Sequence, residues 1–309
     1  MRLIFMGTPE FSTPSLRAVA AAGHEVALVV TQPDRPSGRK AEAAPPPVKT
    51  AALALGLPVY QPERLTAPGA LDPLRAARPE AAVVVAFGHI LRPAALEIPP
   101  LGCINAHASL LPRLRGAAPI AWAIINGEKV SGVTTMLLDP GMDTGPMLLR
   151  REVALDPEET AGLLHDKLAP VAAALLVETL AGLVAGSITP HPQDGSQATV
   201  APMLKKEDGR VDWTRTAEEI ARRVRGLHPW PGSFSNLEGE TLKVIRVKAE
   251  AGKRGAPGEV LDCGKDGILV AAGSGTAVRL VEIQPPGKKA MNACAWLAGH
   301  CLDPGCSFD

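Results

Sequence analysis

The sequence predicts an α/β protein, with a parallel-sheet N-terminal domain followed by a smaller β-barrel domain. Three observations carry this. Residues 2–6 form an apolar run ended by Gly7-Thr-Pro-Glu-Phe11, then a helical pattern, then a second apolar run over 25–31. That is the strand, loop, helix, strand order of a parallel βαβ unit. Residues 81–87 and 101–104 are further short apolar runs of buried-strand type. Beyond Met203, five short runs alternate with Gly-rich turns, as in a small barrel.

Thr13 suits an N-cap and Pro14 a first helical turn, so a helix is expected over 14–22, ended by Gly23. The stretch 31–49 is too rich in Pro, Gly and Ser for regular structure and reads as an exposed loop. Loops of that length in a compact domain are usually functional or disordered. Residues 48–55 return to a helical pattern closed by Gly56, and 58–61 to a short strand. The central strand 81–87 runs into Phe87-Gly88-His89-Ile90-Leu91. A helix is expected over 118–126, antiparallel strands over 132–139 and 147–153, and a long amphipathic helix over 158–185, kinked at Pro170. Composition shifts near Ile188. Domains are therefore expected at 1–188 and 205–309, with 189–204 as a linker. In the second domain Thr216-Ala-Glu-Glu219 fits a capping box. Strands should follow at 234–237, 241–249, 258–261, 267–272 and 277–283.

The chain has 309 residues, 32 of them basic and 32 acidic, so no global field advertises a polyanionic partner. A nucleic-acid surface must be a local patch; from Met203 onward basic residues lead acidic ones by 16 to 14. Five cysteines without a CxxC pair or an even disulfide framework fit a reducing, cytoplasmic setting. Cys294, His300, Cys301 and Cys306 crowd together but lack the paired knuckles of a zinc ribbon, so no metal is expected. The apolar start ends too soon for a signal peptide, and the run 168–177 is short of the roughly 20 residues that span a bilayer. No membrane partner is expected. Gly7 lacks the other glycines of GxGxxG, and no acidic residue ends the second strand, so NAD is not expected.

Chemistry concentrates at the end of the strand over 101–104. Asn105 and His107 lie two apart and share a strand face. Asp143 follows in the Gly-rich segment Leu138-Asp-Pro-Gly-Met-Asp143-Thr-Gly145. An amide donor, an imidazole and a carboxylate can together polarise a carbonyl, move a proton and hold one tautomer. A lone Asn-x-His, however, more often caps a strand than catalyses.

The flanking residues decide between these readings. Asn105-Ala-His-Ala-Ser-Leu-Leu-Pro-Arg-Leu-Arg-Gly-Ala-Ala-Pro-Ile120 resembles the signature of the folate-dependent formyltransferases, and the Asp143 segment resembles their second motif. Phe5-Met-Gly-Thr-Pro-Glu-Phe11 is similar to the family's opening. Thr31-Gln-Pro-Asp-Arg-Pro with Gly38-Arg39 resembles an insertion in members that act on tRNA. Lys205-Lys-Glu-Asp-Gly-Arg-Val-Asp-Trp213, His228-Pro-Trp-Pro231 and Gln284-Pro-Pro-Gly-Lys-Lys-Ala-Met291 resemble stretches of those members' C-terminal domain. The likeness covers nearly the whole chain, except the tail after Ala293.

That resemblance implies a Rossmann-like domain carrying the chemistry and an OB-fold-like barrel that helps hold tRNA. It implies 10-formyltetrahydrofolate as co-substrate, initiator methionyl-tRNA as acceptor and a monomeric enzyme. Asn105, His107 and Asp143 take the catalytic roles, with Asn105 and an imidazolium at His107 donating to the formyl oxygen. Ser109, Leu110, Leu111 and Pro112 lie where the family binds folate, and Phe87, Gly88, His89, Ile90 and Leu91 offer backbone groups to the pterin. Arg39, Lys40, Lys205, Lys206 and Arg222 are the candidate tRNA contacts. Ala41, Glu42 and Ala43 stand where the family commonly carries further basic residues, which weakens the insertion's grip on phosphate. Arg222, Arg223 and Arg225 also fit a solvated helix face. Rival readings are a formyltransferase with a small amine acceptor (an amino sugar or a glycinamide nucleotide), a hydrolase releasing formate from the same folate, and a non-catalytic RNA-binding module. Acceptor assays and loss of turnover in point variants separate them.

Overall fold

The computed structural model describes every residue except 38–41, 253 and 301. Its chain divides into two units. The first comprises Met1–Pro119, Val130–Ala154 and His165–Ala201; the second comprises Ile120–Lys129, Leu155–Leu164 and Pro202–Asp309.

The first half of the chain runs β1 (Arg2–Gly7), α1 (Thr13–Ala21), β2 (Glu25–Val30), β3 (Arg35–Ser37), β4 (Glu42–Ala44), α2 (Pro47–Ala54) and β5 (Val59–Tyr60). It continues with α3 (Asp72–Ala76), β6 (Ala81–Val85), α4 (Pro93–Leu96), β7 (Cys103–His107), α5 (Pro119–Ile125), β8 (Val130–Leu137), β9 (Met147–Ala154) and α6 (Ala161–Val184). Seven strands form one sheet in the order β5-β2-β1-β6-β7-β8-β9. The first five are parallel and the last two antiparallel. Every residue of β6 and β7 is buried, which is why these strands read as continuous apolar runs rather than alternating ones.

Several expectations are corrected. Thr13 lies inside α1, with Ser12 at the N-cap position, because its hydroxyl is used by the preceding turn: it donates to Glu10 O at 3.0 Å. Leu101 is exposed, and Gly102 has φ 81°, a left-handed backbone that starts β7 only at Cys103 and so places Asn105 and His107 within the strand. The stretch 31–49 is not devoid of regular structure: β3 and β4 pair antiparallel, Arg35 with Ala44 and Ser37 with Glu42. Pro36 is tolerated there because alternate residues of an antiparallel pair need no ladder donor. The short helices α3 and α4 were not expected; four or five residues carry too little periodicity to register.

By length and composition α6 is apolar enough to cross a membrane, although its longest uncharged run is short. Its burial repeats at helical spacing instead. Leu164, Leu168, Leu175 and Leu180 are fully buried, while Asp166, Lys167, Pro170 and Glu178 face out. Pro170 cannot donate to the Asp166 carbonyl one turn earlier, and both residues lie on the exposed side of the helix, where water can meet that carbonyl.

The second unit contains α7 (Ala217–Gly226), β10 (Ser233–Leu237), β11 (Glu240–Glu250), β12 (Val260–Gly264), β13 (Gly267–Ala272), β14 (Thr276–Gln284), β15 (Met291–Asn292) and α8 (Ala293–Leu297). The expected capping box opens α7: Thr216 N donates to Glu219 Oε2 at 2.9 Å, and Glu219 N donates to Thr216 Oγ1 at 3.4 Å. The sheet runs β10-β11-β14-β13-β12, with β15 beside β14. Its two ends meet through the chain's last residues. Asn236 and Asp309 exchange backbone hydrogen bonds at 3.3 and 3.1 Å, while Phe308 N donates to Gly258 O at 2.9 Å and Val260 N to Cys306 O at 2.8 Å. The tail thus closes the sheet into a barrel and removes both edges. Phe308 enters the core beside Trp213, Leu242 and Val260.

Candidate active site

Strand β7 sets Asn105 and His107 on one face, hydrogen-bonded in register to Met136 and Thr134 of β8. Both side chains are buried. Among the described residues, the Asn105 amide has no protein partner, so its donors are available to a ligand. His107 Nε2 lies 2.9 Å from Leu114 O, and because a carbonyl only accepts, that nitrogen carries the hydrogen. Nδ1 faces Asp143 Oδ2 at 3.6 Å, an ion-pair distance rather than a good hydrogen bond. Each ring nitrogen thus faces an acceptor, the Leu114 carbonyl on one side and the Asp143 carboxylate on the other.

Asp143 reaches His107 from a loop that must turn back on itself, and its φ of 53° is the left-handed strain such a turn demands. Asp139 braces the loop by accepting from Gly141 N at 3.0 Å and from Thr144 Oγ1 at 2.7 Å. Gly145 is obligatory, because a Cβ there would stand 1.9 Å from Leu137 O. Gly116 N donates to Asp143 Oδ2 at 2.8 Å and aims the carboxylate.

Sequence reasoning missed the parts supplied by residues 189–204. Gln193 Nε2 donates to Asp143 O and Gly145 O at 2.8 and 2.7 Å, while its Oε1 accepts from Arg115 Nε and Nη2 at 3.0 and 2.7 Å. Thr199 Oγ1 accepts from Leu114 N at 2.9 Å, fixing the residue whose carbonyl holds His107. His191 pairs with Met147 and Val200 with Arg115. A Gln and a Thr in a Pro/Gly-rich segment carry no local signal of this. Gln193→Ala should lower turnover by roughly 10- to 100-fold, the usual loss from misplacing a catalytic group by an ångström. Single-turnover rates check this, and a wild-type rate would show that the loop holds without the clamp.

The expected folate residues divide. Ser109 Oγ donates to Arg113 O at 2.7 Å, and Thr134 Oγ1 donates to Ser109 O at 2.7 Å and accepts from Leu111 N at 3.1 Å. Leu111 and Pro112 are buried, so they brace the turn; Leu110 is half-buried against Gly132. Phe87 and Leu91 belong to the core, and Ile90 is 76% exposed. Phe87 O is already occupied by Thr8 Oγ1 at 2.9 Å and Gln32 Nε2 at 3.3 Å, whereas Gly88 lies exposed. The His89 ring lies 5.1 Å from that of Phe87, and its Nδ1 is buried with no partner among the described residues. Burial, with Arg35 nearby, holds its imidazole below the ordinary value, opposed by Glu63. A cleft of about 660 Å³ opens at the carboxyl ends of β1, β2 and β6, lined by Thr8, Gln32, Arg35, Pro36, Pro46 and Phe87 among others.

Of the candidate tRNA contacts, Arg39 and Lys40 lie outside the described residues. Lys205 and Lys206 are exposed, and Lys205 N donates to Asp208 Oδ2 at 2.6 Å. Arg222 is half-buried: its Cδ would lie 3.0 Å from a Cβ at Gly127, and its Nε is buried without a partner among the described residues. Arg223, also half-buried, donates from Nη2 to Asp208 O at 3.1 Å. These arginines do not form a simple solvated face.

Residues 1–180 match the formyl transferase family and residues 203–301 its C-terminal domain, so the chain belongs to the formyltransferases. The methionyl-tRNA formyltransferase of Citrifermentans bemidjiense is 51% identical over 305 residues, spanning 99% of this chain and 95% of that protein. That of Solibacter usitatus is 52% identical over 303 residues, spanning 98% and 96%. Among solved structures, the N-formyltransferase of Helicobacter canadensis in complex with folinic acid and dTDP-3-aminofucose aligns with a TM-score of 0.67 over 92% of this chain and 99% of that one. At 15% identity, that likeness is one of fold.

Proposed function

We propose that this protein transfers the formyl group of 10-formyltetrahydrofolate to the amino group of methionine on initiator methionyl-tRNA. The observation that carries the reading is the identity of about half, over essentially the full length, to proteins of that activity. The site supplies matching chemistry. As the neutral amine attacks the formyl carbon, negative charge grows on the formyl oxygen, where the unpartnered Asn105 amide can donate. His107 offers its Nδ1 side and, when protonated, a balancing charge. Asp143 stabilises that charge and accepts the proton lost by the amine, through water where needed, while the departing folate nitrogen gains one.

Asn105→Ala should lower turnover by about 10² to 10³, the loss usual for one oxyanion donor, with the affinity for folinic acid little changed. The function itself is tested by transfer of labelled formyl group from 10-formyltetrahydrofolate to charged initiator tRNA, charged elongator tRNA, an amino sugar nucleotide and glycinamide ribonucleotide. Label on initiator methionyl-tRNA is expected. Faster transfer to a small amine, or formate release alone, would replace this reading.

A further inference from the structure

Three chain segments meet at the carboxyl edge of the parallel sheet beside the 660 Å³ cleft. Asp34 follows β2, Lys49 lies in the first turn of α2, and Gln61 follows β5. Lys49 Nζ donates to both Asp34 oxygens at 2.8 and 2.7 Å, and Gln61 Nε2 donates to Asp34 Oδ1 at 2.7 Å and to Gln32 O at 2.8 Å. Gln61 and Lys49 together hold the Asp34 carboxyl below the usual carboxylate range. The pair also interlocks with the cleft. Pro33, Arg35 and Pro36 flank Asp34 on one wall, and Pro45, Pro46 and Pro47 precede Lys49 on the other. The second wall is tied below by Val48 N donating to Thr8 O at 3.3 Å. The first reaches the Phe87 loop through Arg35 Nη2 on Gln32 Oε1 at 3.4 Å and Gln32 Nε2 on Phe87 O.

A partly exposed ion pair contributes little to fold stability, because water screens it and side-chain ordering opposes it. Its geometric effect is larger. The β3–β4 hairpin leaves and re-enters the domain between Asp34 and Lys49, so joining those residues sets the distance between the two proline walls.

We propose that the Asp34–Lys49 pair, braced by Gln61, is a clamp of positioning residues that fixes the width of this cleft and thereby presents the large acceptor to the catalytic site. The proposal rests on the tRNA-formylating function above. The cleft includes Phe87, just past β6, and β6 pairs directly with β7, which carries Asn105 and His107; a macromolecular acceptor, unlike a small amine, is large enough to lie against these walls while its reacting end is at the site.

The test compares Asp34→Asn, Lys49→Met, their double variant and the conservative Lys49→Arg. Formylation of methionyl-tRNA and binding of folinic acid are measured for each. In both single variants kcat/KM for methionyl-tRNA should fall about tenfold or more, as for other misplaced reactants, with folinic acid affinity within twofold of wild type. The double variant should be no worse than the poorer single, and Lys49→Arg should keep most of the activity. Unchanged kcat/KM in both singles, multiplicative losses in the double, or an equal fall in folinic acid affinity would overturn the clamp alone. A wild-type protein that leaves methionyl-tRNA unformylated would overturn the functional reading and the clamp with it.

Discussion

His107→Ala should lower turnover by about 10² to 10⁴, the range expected when a proton-transfer or charge-stabilising group is lost. Asp143→Asn falls nearly as far, and the reason is separable from loop structure. An Asn side chain can still accept the hydrogen bond from Gly116 N, and the Gln193 bonds go to the backbone carbonyls of Asp143 and Gly145. The loop therefore stays in place while the charge facing His107 Nδ1 at 3.6 Å disappears. In the proposed mechanism both residues act on one proton and one developing charge, so the double variant should lose little more than the worse single. Single-turnover transfer to methionyl-tRNA, with folinic acid titration as the binding control, provides the comparison. Independent, multiplicative losses would show that the two side chains do not work as a unit.

Phe308→Ala should destabilise the second unit by about 3 to 5 kcal/mol, as large-to-small changes of buried aromatic residues do. Phe308 is 2% exposed, and its ring centroid lies 5.6 Å from that of Trp213. Trp213 Nε1 donates to Ser235 Oγ at 2.9 Å, and Ser235 Oγ donates to Asp309 O at 2.8 Å, so core and closing strand are joined at this point. All four tryptophans (Trp122, Trp213, Trp230 and Trp296) lie in the second unit, so their fluorescence during urea unfolding follows that unit. Removing residues 305–309 should be more damaging still, since both ends of the sheet become open edges. A loss below about 1 kcal/mol for Phe308→Ala would mean that the tail is only draped over the barrel.

Much of the site is legible from residue order because its determinants are local. Period-two alternation alone places Asn105 and His107 on one face. The Gly-rich spacing around Asp143 announces a tight turn, and Thr216 with Glu219 announces a helix start. The apolar runs of β1, β6 and β7 announce a buried parallel sheet, because a strand covered on both faces has no polar side.

The remainder depends on partners far apart in the chain. Gln193 meets Asp143 and Arg115 across 50 and 78 residues, Thr199 meets Leu114 across 85, and Ser235 meets Asp309 across 74. A single amide or hydroxyl has no periodicity, so its hydrogen-bond partner is settled only when packing brings a backbone group within reach. The same holds for Asp34, Lys49 and Gln61, whose meeting follows from the parallel order of β2 and β5 and from the start of α2. The sequence by itself indicated most strands of the two sheets, the candidate trio of Asn105, His107 and Asp143, and the resemblance to the family, but it missed the β3–β4 pair. Tertiary structure alone decided what holds the Asp143 loop, what closes the barrel and what spaces the walls of the cleft, because those bonds join groups that only the folded chain makes neighbours.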